Sequence, residues 1–160
     1  MSSGYDRRKL NVYKGQIGEM LARIHLMQQG FEVMNYEFLI SISKHLNSKF
    51  ITVGTEEEFH VPSIDSVKKF LGSRKKDLLE LKEALNTIYS GETHRKRRFD
   101  FIAKKEGAYY VVEIKTNEGR LTEPQKKELE LSKKFGFIPI VIRTKVKIIA
   151  DLKDVKLEFL

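Results

Sequence analysis

The stretch RRFDFIAKKEGAYYVVEIKTNEG, residues 97–119, sets two runs of β-branched and aromatic residues on either side of Lys105-Glu106-Gly107. Runs at 99–104 and 108–115 have the make-up of strands, and Gly107 suits a tight hairpin turn. If Glu106-Gly107 is the two-residue turn, Lys105 faces Ala108 and Asp100 lies opposite Glu113. A four-residue loop moves the partner by two positions and keeps the face, whereas a three-residue loop without a bulge puts Asp100 on the wrong side. Glu113 and Lys115 share a face at period two, roughly 7 Å apart along the strand.

Charge on a half-buried strand is costly unless it is paired, solvated in a cleft or bound to a metal. Two neighbouring carboxylates repel, and a divalent cation relieves that by taking hard oxygen ligands from both. A protonated lysine beside them is no ligand, but it can position a water or offset charge on a phosphate. Spacing alone favours a solvent-facing, salt-bridged surface of an antiparallel pair.

Downstream, Thr122-Glu123-Pro124-Gln125 has a helix N-cap, a proline in the first turn and a glutamine in capping-box position. Gly136 closes that helix before an apolar run at 137–142, so strand, helix and strand form a βαβ unit with parallel strands. Residues 146–160 are expected to add one more strand or short helix.

Upstream stands a basic run, His94-Arg95-Lys96-Arg97-Arg98. Before it, residues 43–97 read as an insertion: polar segments, then a helix opening near Asp65 or Ser66, breaking at Gly72-Ser73 and ending at Tyr89. Its apolar side is Leu78, Leu79, Leu81, Leu85 and Ile88. Residues 13–27 form an amphipathic helix with Tyr13, Ile17, Met20, Leu21, Ile24 and Met27 on one side and Gln16, Glu19 and Arg23 on the other. Gly30 caps it, and 31–42 reads as strand.

The 160 residues, 41% hydrophobic, suffice for one domain spanning 1–160. Thirty Lys and Arg against 22 Asp and Glu give a charge of +8, which favours a polyanionic partner, nucleic acid before membrane. No apolar run approaches the ~20 residues needed to span a bilayer, so a cytoplasmic protein without membrane partners is expected. The chain has no cysteine, which excludes thiolate chemistry, and its four histidines are scattered singly.

The ordered set Asp100, then twelve residues, then Glu113-Ile114-Lys115 resembles the PD-(D/E)XK nuclease superfamily. Gly15-Gln16-Ile17-Gly18-Glu19 on the preceding helix and Gly30-Phe31-Glu32-Val33 at the strand start extend the likeness. Leu121-Thr122-Glu123-Pro124-Gln125 is similar to a segment of archaeal Holliday-junction resolvases and VRR-NUC-type nucleases. The resemblance implies an α/β fold, a restriction-endonuclease-like α-β-β-β-α-β core with a mixed sheet and the inserted helical element. It implies a Mg²⁺- or Mn²⁺-dependent endonuclease acting on DNA, selective for junction, flap or nick. The same fold without chemistry, a DNA-binding or assembly module, is the alternative.

Carried over by position, the resemblance makes Asp100 and Glu113 metal ligands, with the Ile114 backbone carbonyl as a third and Glu19 adding a carboxylate through a water or to a second metal. Lys115 would assist the attacking water or the transition state, and Gln125 would sit at the mouth of the site. Arg95, Lys96, Arg97 and Arg98, with Lys126 and Lys127, would contact DNA phosphates. Two-strand cleavage in this fold implies a homodimer. Phe99 stands where the superfamily's name has proline, and the 43–97 insertion is longer than in the simple resolvase pattern.

Overall fold

The computed structural model describes residues 4–46, 62–89 and 98–147. Its elements run α1 (Gly4–Gln28), β1 (Glu32–Asn35), α2 (Tyr36–His45), α3 (Ile64–Leu71), a 3₁₀ turn (Gly72–Arg74) and α4 (Lys75–Ile88). Then follow β2 (Phe101–Lys105), β3 (Ala108–Thr116), α5 (Glu123–Lys134) and β4 (Ile138–Thr144). Among the described residues the strands form one mixed α/β sheet in the order β1-β2-β3-β4. β1 and β2 pair antiparallel, as do β2 and β3, while β3 and β4 are parallel.

The β2–β3 hairpin has the two-residue turn, with Lys105 opposite Ala108 and Phe101 opposite Val112. Glu106 and Gly107 both have positive φ, +51° and +79°, the backbone of a turn whose twist matches its strands. The parallel β3–β4 pair is the one expected across α5, from Tyr110 opposite Ile138 to Thr116 opposite Thr144.

Helices cover both faces of the sheet, and this makes Val111 to Ile114 a continuous buried run rather than an alternating one. On one face Ala22 and Leu26 of α1 pack with Val33, Phe101, Ala103, Val112 and Ile114. On the other, residues of α2, α3, α4 and α5 such as Leu39, Phe70, Leu81 and Leu129 pack on Ile102, Tyr109 and Val111. The Tyr109 hydroxyl donates to the carbonyls of Phe70 and Leu71, tying the α3–α4 insertion to the sheet.

Residues 31–42 are not one strand. β1 ends at Asn35, whose side chain accepts from the Phe38 N–H at 3.1 Å and caps α2. From there Tyr36, Leu39, Ile40 and Ser43 are buried at helical spacing. The apolar content of the segment is the same for either structure, and the asparagine cap decides between them.

The apolar side of α1 is turned the other way from a core helix. Gly18, Ala22 and Leu26 are its buried residues, whereas Tyr13, Met20, Leu21, Ile24 and Met27 are exposed. A Cβ on Gly18 would lie 2.0 Å from Thr116 Oγ1 and 2.6 Å from Thr144 Oγ1, so the helix backbone rests on the ends of β3 and β4. Gly18, Ala22 and Leu26, rather than the large apolar residues of the other side, meet the sheet.

The break at Gly72 separates α3 from α4 as expected, with Ser63 as the N-cap of α3. Leu78, Leu81 and Leu85 are buried, while Ile88 is exposed. Gly30 and Gly136 adopt positive φ after α1 and α5. The capping box of Thr122 and Gln125 is formed. The expected tail element lies, from residue 148 on, outside the described residues.

Candidate active site

Asp100 immediately precedes β2, held by a backbone bond from its N–H to the Val112 carbonyl (3.0 Å) and by the Tyr36 N–H donating to its own carbonyl (3.3 Å). Where β2 begins, the next N–H of β3, that of Ile114, donates to Asp100 Oδ2 at 2.6 Å. The carboxylate thus occupies a ladder position that a strand carbonyl would otherwise fill.

Glu113 is buried in the middle of the β3–β4 pairing, opposite Val141. Its Oε1 accepts from Lys115 Nζ at 2.8 Å and from Gln125 Nε2 on the first turn of α5. Gln125 also accepts the Thr122 N–H, so the residue that closes the capping box carries that turn to the carboxylate.

Burial pushes the Asp100 carboxyl up to about 7, with the Glu113 charge adding to it and Glu19 adding further. The Ile114 N–H and the Lys115 ammonium act in the opposite direction. Glu19 reaches this neighbourhood from α1, where it lines a cleft of about 400 Å³ with Asn11, Lys14, Ile114, Thr116 and Asn117. Four residues named from sequence, Asp100, Glu113, Lys115 and Gln125, therefore converge on the end of the sheet where β2 starts and β3 finishes, and Glu19 lies near enough for its charge to act on Asp100.

The donors suit a hard divalent cation: carboxylate oxygens, with the Glu113 charge disfavouring a second charge on Asp100. The hydrogen bonds above engage one oxygen of Asp100 and one of Glu113. Among the described residues, no three His, Cys, Asp or Glu side chains stand together as a ready-made cage. Two carboxylates with backbone, water and phosphate oxygens would have to complete a shell, as is usual for Mg²⁺.

The proposed phosphate contacts divide. Arg95, Lys96 and Arg97 lie outside the described residues. Arg98 is buried, its Nη1 3.8 Å from Glu128 Oε1 and its guanidinium 5.0 Å from the centre of the Tyr89 ring. It faces inward and joins α4 and α5, so it is not a surface contact. Lys126 and Lys127 are exposed on α5, and Lys126 is paired with Glu123 at 2.6 Å.

Two features have no counterpart in the sequence reading. Arg143, Lys145 and Lys147, at the end of β4 and just beyond it, line a cleft of about 500 Å³ that shares Asn117 and Glu118 with the first. Asn117, at φ +55°, shapes the junction: its N–H donates to the Thr144 carbonyl and its side chain accepts from the Val146 N–H. Alternation of basic residues at 143, 145 and 147 was the available signal.

No family model, curated protein or solved structure matches the chain. Among the described residues no helix is long and apolar enough to cross a membrane.

Proposed function

We propose that the chain is a divalent-metal-dependent nuclease that hydrolyses DNA phosphodiester bonds on a restriction-endonuclease-like core. The observation that carries this reading is the meeting of Asp100, Glu113 and Lys115 at one sheet end, with the Asp100 proton affinity raised by burial and by Glu113. The order α1-β1-β2-β3-α5-β4, with α2, α3 and α4 inserted, supports the same reading.

In this reading Asp100 and Glu113 hold Mg²⁺ or Mn²⁺, with Glu19 and the Ile114 carbonyl in the implied set. When bound, the cation supplies Lewis acidity and a more acidic water. Ile114 N–H fixes the Asp100 carboxylate, and Gln125 holds Glu113 from the α5 side. Lys115 offsets charge on the phosphate as it builds up. Arg143, Lys145 and Lys147 carry the adjoining DNA backbone past the site.

A second reading, a DNA-binding or assembly module without chemistry, draws on the Lys115–Glu113 ion pair, which satisfies the charged strand without a metal. Labelled four-way junctions, flaps, nicked duplexes and single strands incubated with Mg²⁺ or with chelator separate the two. Metal-dependent cleavage of at least one substrate is expected. Retained, salt-sensitive DNA binding with no cleavage of any would give the second reading its place.

A further inference from the structure

The exposed side of α1 carries more than scattered apolar residues. Leu10, Tyr13, Ile17, Met20, Ile24 and Met27 are separated by three, four, three, four and three residues, the a and d positions of a heptad repeat. Of these, all but the half-buried Ile17 are between 40% and 57% exposed. Gly18, Ala22 and Leu26, the residues that meet the sheet, fall at b, f and c, on the opposite side of the helix. The fold therefore uses the outer positions of the repeat and leaves its seam open, a stripe about 25 Å long at the helical rise.

We infer that this seam pairs with the same seam of a second copy of the chain, in antiparallel orientation about a two-fold axis. The repeat matches itself when reversed. Leu10 then meets Met27 of the second copy, Tyr13 meets Ile24 and Ile17 meets Met20, so each layer joins an a residue to a d residue and the only aromatic packs on a branched aliphatic side chain. Charge selects the same orientation. Antiparallel, the flanking Lys14 falls beside Leu21 of the second copy and Arg23 beside Gln16, with no like charges opposed. A parallel, in-register pair would bring Lys9 against Lys14 and stack Tyr13 on Tyr13.

One helix pair gives an interface at the lower end of those that hold stable dimers, so dissociation in the range of about 1–50 µM is expected. The two-fold axis passes beside Ile17 and Met20. Glu19 sits on the same turn but lines the cleft toward Ile114 and Thr116, so the pairing reaches that cleft at Lys14, which flanks the seam, and not at Glu19. It does not depend on that site being catalytic.

Sedimentation velocity of the full chain, from about 1 to about 200 µM without DNA or metal, tests it. The expected result is a shift from monomer to dimer mass that Met20→Glu with Ile24→Glu abolishes, while helix content and melting temperature at low concentration stay unchanged. Because the chain has no cysteine, single thiols report orientation cleanly. An oxidised mixture of Leu10→Cys and Met27→Cys chains should cross-link, and Leu10→Cys alone should not. A monomer at every concentration overturns the inference. If the double variant then melts lower, other residues of this chain cover the seam; if it melts the same, the seam belongs to a different protein. A dimer that survives the double variant, or Leu10→Cys chains cross-linking to one another, overturns it too.

Discussion

The Ile114 N–H donates to Asp100 Oδ2 at 2.6 Å, so the carboxylate continues the β2–β3 ladder one step beyond the start of β2. The side chain is held there while burial and Glu113 disfavour its charge, and the fold keeps a strained electrostatic arrangement in a fixed place.

That arrangement makes stability depend on pH. Asp100 has its proton affinity raised from 3.8 to about 7. Below pH about 4 folded and unfolded chains both carry the proton and the site costs nothing. Between about 4 and about 7 the unfolded chain releases it first, so stability falls as pH rises, and above about 7 the penalty is complete. The full shift is worth on the order of 4 kcal/mol, less after local relaxation. Asp100→Asn keeps an acceptor for the Ile114 N–H and should be more stable than the parent at pH 8, by about 1–3 kcal/mol, but not at pH 4. Melting curves across this range check it. Added Mg²⁺ should raise the melting temperature of the parent at pH 8 and leave that of Asp100→Asn unchanged.

Lys115 and Glu113 should separate binding from turnover. On the proposed nuclease reading, Glu113→Gln keeps the shape but loses the charge that would bind the metal, so metal-dependent cleavage should fall to background while DNA binding without metal holds or tightens. Lys115→Ala leaves the carboxylates in place, so calorimetric metal binding should persist while turnover drops by ~10²-fold or more. Parent-like cleavage by both variants would move the chemistry elsewhere.

Gly18→Ala should destabilise the chain by about 1–3 kcal/mol, since its Cβ meets Thr116 Oγ1 at 2.0 Å and Thr116 Cβ at 3.1 Å. The hydroxyls of Thr116 and Thr144 can rotate, at the loss of their mutual 3.0 Å hydrogen bond, but the Thr116 Cβ cannot. Urea titration should show the loss, with partial recovery in Gly18→Ala combined with Thr116→Ala only if the Thr116 hydroxyl, not its Cβ, is the main obstacle.

Glu106→Asn should stabilise the hairpin by about 0.5–1 kcal/mol. Glu106 is held at φ +51° ahead of Gly107, a conformation asparagine adopts more readily than glutamate. Unchanged or lower thermal stability would mean that the Glu106 side chain compensates for its backbone.

Much of the fold was legible because its signals are local. The glycine turn placed the hairpin, and of the loop lengths the sequence left open the structure has the two-residue one, whose Lys105–Ala108 register brings Asp100 level with Glu113. Thr122 and Gln125 started α5, Gly30 and Gly136 ended helices, and Gly72 divided α3 from α4. In each case the responsible atoms sit within a turn of one another, where dihedral sterics and unpaired backbone groups decide the outcome. The same strand alternation set Glu113 and Lys115 side by side.

What the chain does over distance was decided only by the tertiary structure. Hydrophobicity picked out the apolar stripe of α1, yet the sheet took Gly18, Ala22 and Leu26 from the other side, because Gly18 admits the helix backbone to within contact of Thr116 and Thr144, residues distant in the chain. Arg98 looked like part of a solvated basic run until Glu128 and Tyr89, from two separate helices, enclosed it. A side chain's solvent exposure depends on which elements come to lie against it, and neither its own chemistry nor that of its neighbours in sequence carries that information.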